Sequence, residues 1–240
     1  MGRLAVVGGH TVLDLGLHDA LGYEHRARAV PVPGGPVHLV DAGPVVFLQR
    51  HRQPDYVLAP HLDHHAHAAA LAAVGCDRVL ALGSCGGLHR HLGPGTTVVV
   101  DDVIALDAQP DSRFLDERAP SVPGFDRAWR ARVLGTWNGH AAVPAVDGGV
   151  YWQTTGPRFE TPAEIRLMAA FADVVGMTIG AECVAMAERG LAYAAVCVVD
   201  NYANGVAETT LTVEEFERGK AENVGALTET LRRVVPDLLR

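Results

Sequence analysis

Apolar residues fall in short runs separated by longer stretches with helical spacing. Leu4–Val7, Val45–Leu48, Arg78–Leu82, Thr97–Ala105, Val174–Met177 and Tyr193–Val199 are rich in Val, Leu, Ile and Ala. Several are nearly continuous, the pattern of strands covered on both faces. Thr161-Pro162-Ala163-Glu164 predicts a helix start, with a hydroxyl N-cap, Pro at the first helical position and Glu at the third. Thr212-Val213-Glu214-Glu215 repeats that logic at the head of a C-terminal helix. Its Val213, Phe216, Val224, Leu227 and Leu231 keep roughly helical spacing on one face. An Ala-rich helix from about Leu62 to Val74 ends at Gly75, a good stop signal. Residues 107–147 are less regular, with Pro110, Pro120, Pro123 and Pro144 around an amphipathic segment at Arg127–Leu134. The alternation predicts an α/β fold with a largely parallel sheet. With no internal repeat and no low-complexity tract, residues 1–240 read as a single domain.

Composition narrows the function classes. The chain is 48% hydrophobic and 20% charged, ordinary for a globule with a sizeable core. A formal charge of -8 without basic runs argues against a nucleic-acid surface. The N-terminus lacks the apolar core and cleavage site of a signal peptide, and no stretch approaches the roughly 18 apolar residues of a membrane span. A cytoplasmic protein is expected. Cys76, Cys85, Cys183 and Cys197 form no C-x-x-C pair and read as buried small hydrophobes. His61, His64, His65 and His67 cluster near one helix, but without an H-E-x-x-H pattern no metal site is expected. Their expected place is a pocket lining or a solvated helix face.

Candidate chemistry gathers at strand ends. The first strand runs into Gly8-Gly9-His10-Thr11, where absent Cβ atoms would let backbone N–H groups face an anion. The second ends in Arg50-His51, suited either to a bidentate phosphate contact or to an Arg–carboxylate bridge. The third ends in Gly83-Ser84-Cys85-Gly86-Gly87, again small. In open parallel sheets, ligands sit outside the carboxyl ends of strands, so these three ends point to one anion pocket. Gly156-Pro157-Arg158-Phe159-Glu160 leads into the capped helix and sets a carboxylate beside an aromatic ring. Recognition of a purine's N–H edge needs that pairing. The alternative is an acid stabilised by a helix N-terminus.

The Gly156–Glu164 segment, followed by Asp173-Val174-Val175-Gly176-Met177, Glu182 and a strand ending in Asp200-Asn201, resembles the trimeric purine nucleoside and methylthioadenosine phosphorylases. Gly8-Gly9, Arg50-His51, Val74-Gly75-Cys76 and Cys85-Gly86-Gly87-Leu88 fall in the family's order, so the resemblance spans about residues 4–230. It implies a central mixed sheet flanked by helices and a homotrimer with sites near subunit contacts. It also implies phosphorolysis of a purine nucleoside, with inorganic phosphate as co-substrate and no cofactor. By resemblance, Gly9, His10, Arg50, His51, Ser84 and Thr178 would hold phosphate. Cys85, Gly86 and Phe159 would border the nucleoside, Met177 would pack on the ribose, and Glu182 would lie near its hydroxyls. Glu160 and Asn201 would address the base, with Asp200 beside them, and these three are the candidate catalytic residues. Adenine-preferring members of the family carry an Asp in the base-reading place, and here Asp200 is its neighbour, so both base types stay open, with Asn201 in that place leaning toward a 6-oxopurine. Val213 would form an apolar wall for a 5′-deoxy or 5′-methylthio group.

Three departures from the family pattern surround the phosphate and ribose. His10 stands where a hydroxyl residue is usual, Gly83 replaces a hydroxyl or amide residue, and the helix carries Asp63-His64-His65-Ala66-His67. A neutral His10 could replace a donor, and His64 could stand near the sugar. The alternatives are a nucleosidase on the same fold, with water as the nucleophile, and a non-catalytic nucleoside-binding protein.

Overall fold

Strand β1, Arg3–Gly8, lies between two parallel neighbours, β4 (Val45–Gln49) and β5 (Cys76–Gly87). This is a computed structural model that describes residues 2–9, 19, 21–51, 55–106, 112–208 and 211–240. On one side the sheet continues through the antiparallel hairpin β2 (Arg26–Val32) and β3 (Gly35–Ala42). On the other, β5 carries β11 (Ala192–Tyr202) in parallel along most of its length. Its last two residues also take β10 (Val174–Gly176), antiparallel, on the opposite edge. β9 (Val150–Gln153) and β7 (Asp102–Ile104) extend that branch. β6 (Thr97–Val99) and β8 (Val146–Asp147) extend the β11 branch. The sheet is mixed and largely parallel, as expected.

Two helical layers cover it. Helices α1 (His64–Ala73) and α4 (Ile179–Glu188) pack on one face through Ala68, Leu71, Cys183 and Met186. Helices α2 (Arg127–His140) and α5 (Val213–Leu238) pack on the other through Trp137, Val133, Leu231 and Val235. A smaller cluster joins α3 (Pro162–Met168) to β9 and β10 through Ile165, Met168, Trp152 and Val175. The four cysteines are buried and free. Among the described residues no helix is long and apolar enough to cross a membrane.

Local chemistry fixes the element ends. The capping boxes at Thr161/Glu164 and Thr212/Glu215 both form. The Ala-rich helix begins at His64 instead of Leu62, because Asp63 accepts the Ala66 N–H at 2.8 Å and becomes the N-cap. Thr97–Ala105 is two strands and not one: β6 pairs with β11 and β8, β7 with β9. Between them Arg130 takes the Val99 and Val100 carbonyls at 2.6 and 3.0 Å, and Asp101 accepts the Gly149 N–H.

The branching of β5 opens the site. β1 pairs with it as far as Leu82, and β10 begins at Gly86. Among the described strands, Gly83, Ser84 and Cys85 therefore have a neighbour on one edge only, β11.

Candidate active site

A cavity of about 270 Å³ lies over that gap. From the β1–β4 side it receives Gly9, Arg50 and His51; from β5, Ser84, Cys85 and Gly86. From the β10–α3 side come Phe159, Glu160, Met177 and Thr178, and from β11 come Asp200 and Asn201. Residues more than a hundred positions apart, singled out from sequence, thus meet in one space. His10 lies outside the described residues.

Arg50 forms the carboxylate bridge that its sequence context allowed. It borders the cavity, and its Nε and Nη2 donate to Glu182 at 2.7 and 2.8 Å, with arginine and carboxylate both almost fully buried. Glu182 also accepts from the Tyr193 hydroxyl at 2.8 Å. Burial works against the Glu182 carboxylate, but the Arg50 guanidinium beside it outweighs that and holds it below its ordinary range. Its expected position near sugar hydroxyls is corrected: Glu182 does not line the cavity and instead orients Arg50 from behind. Breaking such a pair by removing one partner costs about 3–5 kcal/mol.

His64 is corrected in the same way. It packs against Glu182, with Nδ1 3.9 Å from the carboxylate, and edge-on to His67, instead of facing the cavity. Burial drives its imidazole down to about 3 and that of His67 to about 4, so both are neutral at pH 7. Two positive imidazoles beside Arg50 would compete with it for Glu182. Among the described residues no group of three or more His, Cys, Asp or Glu side chains is arranged to hold a metal.

His51 is set by its Nδ1, which donates to the Val57 carbonyl at 2.8 Å, and by stacking on Tyr56. A carbonyl only accepts, so the neutral ring carries its proton on Nδ1. Thr178 is the N-cap of α4, whose positive end therefore faces the cavity.

Glu160 is held by Thr154, whose hydroxyl donates to Oε1 at 2.7 Å, and by Asn204, whose amide donates to the Glu160 carbonyl at 2.8 Å. Gly156 enables the approach of this loop. Its φ is +69°, and a Cβ there would press into the Met177 thioether. The peptide bond between Gly156 and Pro157 is cis.

At the end of β11 the register slips between Val199 and Asn201, so β5 advances by one residue while β11 advances by two. Such a bulge re-aims side chains that would otherwise alternate between faces. Asp200 and Asn201 consequently both border the cavity. Asp200 accepts from the Ser84 hydroxyl and, at 2.7 Å, from the Asn223 amide. Burial raises its carboxyl above the ordinary value, against these two hydrogen bonds. α5 reaches the bulge closely because residue 219 is glycine; a Cβ would collide with the Asp200 carbonyl.

Val213 is the third correction. It is 61% exposed and does not line the cavity, since it stands at the first position of α5, ahead of the turns that face inward. The apolar wall comes from Phe216, whose ring meets Phe159 at 5.7 Å, and from Leu211. Lys220 lies over the Phe216 ring and bonds Glu217. Phe216 belongs to the apolar face already legible on this helix, and Lys220 and Asn223 follow it at four and three residues, a periodic signal that a search for motifs passes over.

A cavity at the carboxyl ends of a mixed sheet, joining a buried cation and a helix N-terminus to a fixed carboxylate and amide, defines a one-domain α/β protein built for a small ligand. The chain belongs to the phosphorylase superfamily, whose sequence profile matches residues 4–236. A probable 6-oxopurine nucleoside phosphorylase of Archaeoglobus fulgidus is 30% identical over 92% of this chain and 90% of its own length. A probable S-methyl-5′-thioinosine phosphorylase of Methanothermobacter thermautotrophicus is 32% identical over 98% of this chain and 84% of its own. The solved structure of methylthioadenosine phosphorylase from Schistosoma mansoni, in complex with adenine, shares the fold. Its TM-score is 0.81 at 22% identity, covering 98% of this chain and 91% of that one.

Proposed function

We propose that this chain cleaves the glycosidic bond of a purine nucleoside with inorganic phosphate, releasing the free base and a pentose 1-phosphate. The observation that carries this reading is the shared cavity. Arg50, His51, Gly9 and the α4 N-terminus offer an anion site within the same space as Glu160, Asn201 and Phe159. Phosphate held at the first set attacks C1′ as the bond to the base loosens. The departing base gathers negative charge, and the Asn201 amide donates to it.

Glu160 favours a 6-oxopurine. Thr154 occupies one carboxylate oxygen, and the other can accept the N1–H of a 6-oxopurine, whereas adenine presents a lone pair at that place. Both relatives carry 6-oxopurine substrates in their names. The Phe159–Phe216–Leu211 wall suits a 5′-deoxy or 5′-methylthio group, since a buried hydroxyl there would lose its hydrogen bonds to water. Met177 packs on the ribose. The assembly is a cytoplasmic homotrimer that uses no cofactor beyond the phosphate it consumes.

The test is base release from methylthioinosine, inosine, methylthioadenosine and adenosine at equal concentration, in phosphate buffer. The expected order places methylthioinosine first and both adenine nucleosides last. Faster turnover of either adenine nucleoside would contradict the reading of Glu160.

A further inference from the structure

Once phosphate and base are assigned, one wall of the cavity is left with charge that neither uses. Along α5 the lining passes from Phe216 to Glu217 and Lys220. Lys220 is the only lysine in the chain. Its side chain is 13% exposed and lies against the Phe216 ring, with Nζ 4.9 Å from the centroid. Nζ donates to the two Glu217 oxygens at 3.0 and 2.9 Å, and the Glu217 side chain is 59% exposed. Burial raises the Asp200 carboxyl, and Lys220 is close enough to act against that rise, so its charge is felt inside the cavity. An ion pair three residues apart on a helix, with one partner largely in solvent, contributes little to folding. A ligand acid can therefore displace Glu217 into water at small cost, while Lys220 stays where Phe216 supports it. Arg50, the other Arg or Lys among the described residues that lines the cavity, has no such freedom, because its carboxylate partner is fully buried.

The apolar wall decides what carries that acid. The Phe216 ring that meets Phe159 at the 5′ wall also supports the Lys220 ammonium. A group running along this wall is apolar near the sugar and meets a cation at its end. A methylthio group leaves the cation unused, whereas a carboxylate on a short thioether arm satisfies both. We propose that Lys220 is a specificity determinant for the 5′ end of the nucleoside, selecting a 5′-deoxy substituent whose apolar arm ends in a carboxylate. The proposal rests on the phosphorolysis reading for the orientation of the nucleoside, with phosphate at Arg50 and the base at Glu160. Binding exchanges one ion pair for another and makes or breaks no covalent bond.

Two nucleosides matched in size separate charge from bulk: 5′-deoxy-5′-(2-carboxyethylthio)inosine and its carboxamide. Kd is measured by calorimetry without phosphate, and kcat/KM with phosphate, for the wild type, Lys220→Met, Lys220→Arg and Glu217→Gln. A charge-assisted hydrogen bond gained in exchange for an exposed ion pair should favour the acid about 10-fold in both measurements on the wild type. That preference should vanish in Lys220→Met, survive in Lys220→Arg, and grow in Glu217→Gln, where the competing carboxylate is gone. A purely structural Lys220 would change both nucleosides alike. Equal Kd for acid and amide in the wild type, binding of neither, or a preference that Lys220→Met leaves intact would overturn the assignment. Methylthioinosine cleaved in phosphate would then leave phosphorolysis standing. A Lys220-dependent preference in Kd, with no base released from any of the three nucleosides in phosphate, would sustain the subsite and remove phosphorolysis.

Discussion

Glu160 owes its usefulness to what surrounds it. A carboxylate on a free loop would sample many orientations, but Thr154 and Asn204 tether its side chain and backbone at once. Replacing it with Gln keeps an acceptor for Thr154 and removes the charge offered to a ring N–H. Hydrogen bonds to charged groups contribute about 1.5–3 kcal/mol, so Glu160→Gln is expected to lower kcat/KM on a 6-oxopurine nucleoside by roughly 10–100-fold. Unfolding free energy should change by less than about 1 kcal/mol. Parallel losses in kcat/KM and in urea stability would make Glu160 a structural residue. The residue types at this site were legible in the sequence wherever a short motif fixed them: Arg50-His51, Phe159-Glu160, Met177-Thr178 and Asp200-Asn201 all border the cavity. Glu182 was legible as a residue but not as a partner, because the Arg50–Glu182 pair spans 132 positions and no local pattern announces it.

The α1–α4 layer is where neutral histidines are built into the protein. His64 and His67 sit on the buried face of α1, near Glu182, Arg50, His51 and Asp63. Below pH 6.5 the unfolded chain protonates both imidazoles, while the folded protein holds them neutral down to about 3 and about 4. Their effect is absent above pH 6.5, and as pH falls below that value the unfolded state gains, so stability is lost. Each imidazole contributes about 1.4 kcal/mol per pH unit in that window. Urea denaturation from pH 7.5 to 5.0 should therefore show a steep fall, and one much shallower in the His64→Gln/His67→Gln double variant. Equal slopes in the two proteins would mean that these rings are protonated in the fold. Sequence reading put these histidines on a helix but not on its inner face, since a histidine-rich segment carries no hydrophobic stripe to orient it. The edge hairpin β2–β3 also escaped the apolar pattern: its outer strand exposes Arg26 and Arg28, and only one of its seven residues, Val30, is buried.

For the whole molecule, the decisive feature is that β5 takes different neighbours along one edge. Apolar runs predicted parallel strands and helices on both faces, but not the change from β1 to β10 that opens the cavity at Ser84, because that change depends on pairing between distant segments. Likewise, the β11 bulge brings Asp200 and Asn201 to the same space, a choice between neighbours that linear order left undecided. In the proposed reaction phosphate, not water, makes the new bond to C1′ in this cavity. Its most direct test is turnover of inosine or methylthioinosine in phosphate buffer made with ¹⁸O-water, followed by mass analysis of the sugar product at early times. The expected product is a pentose 1-phosphate free of label, with no base released when phosphate is withheld. A free sugar carrying ¹⁸O at C1′ would contradict it and make the protein a nucleosidase.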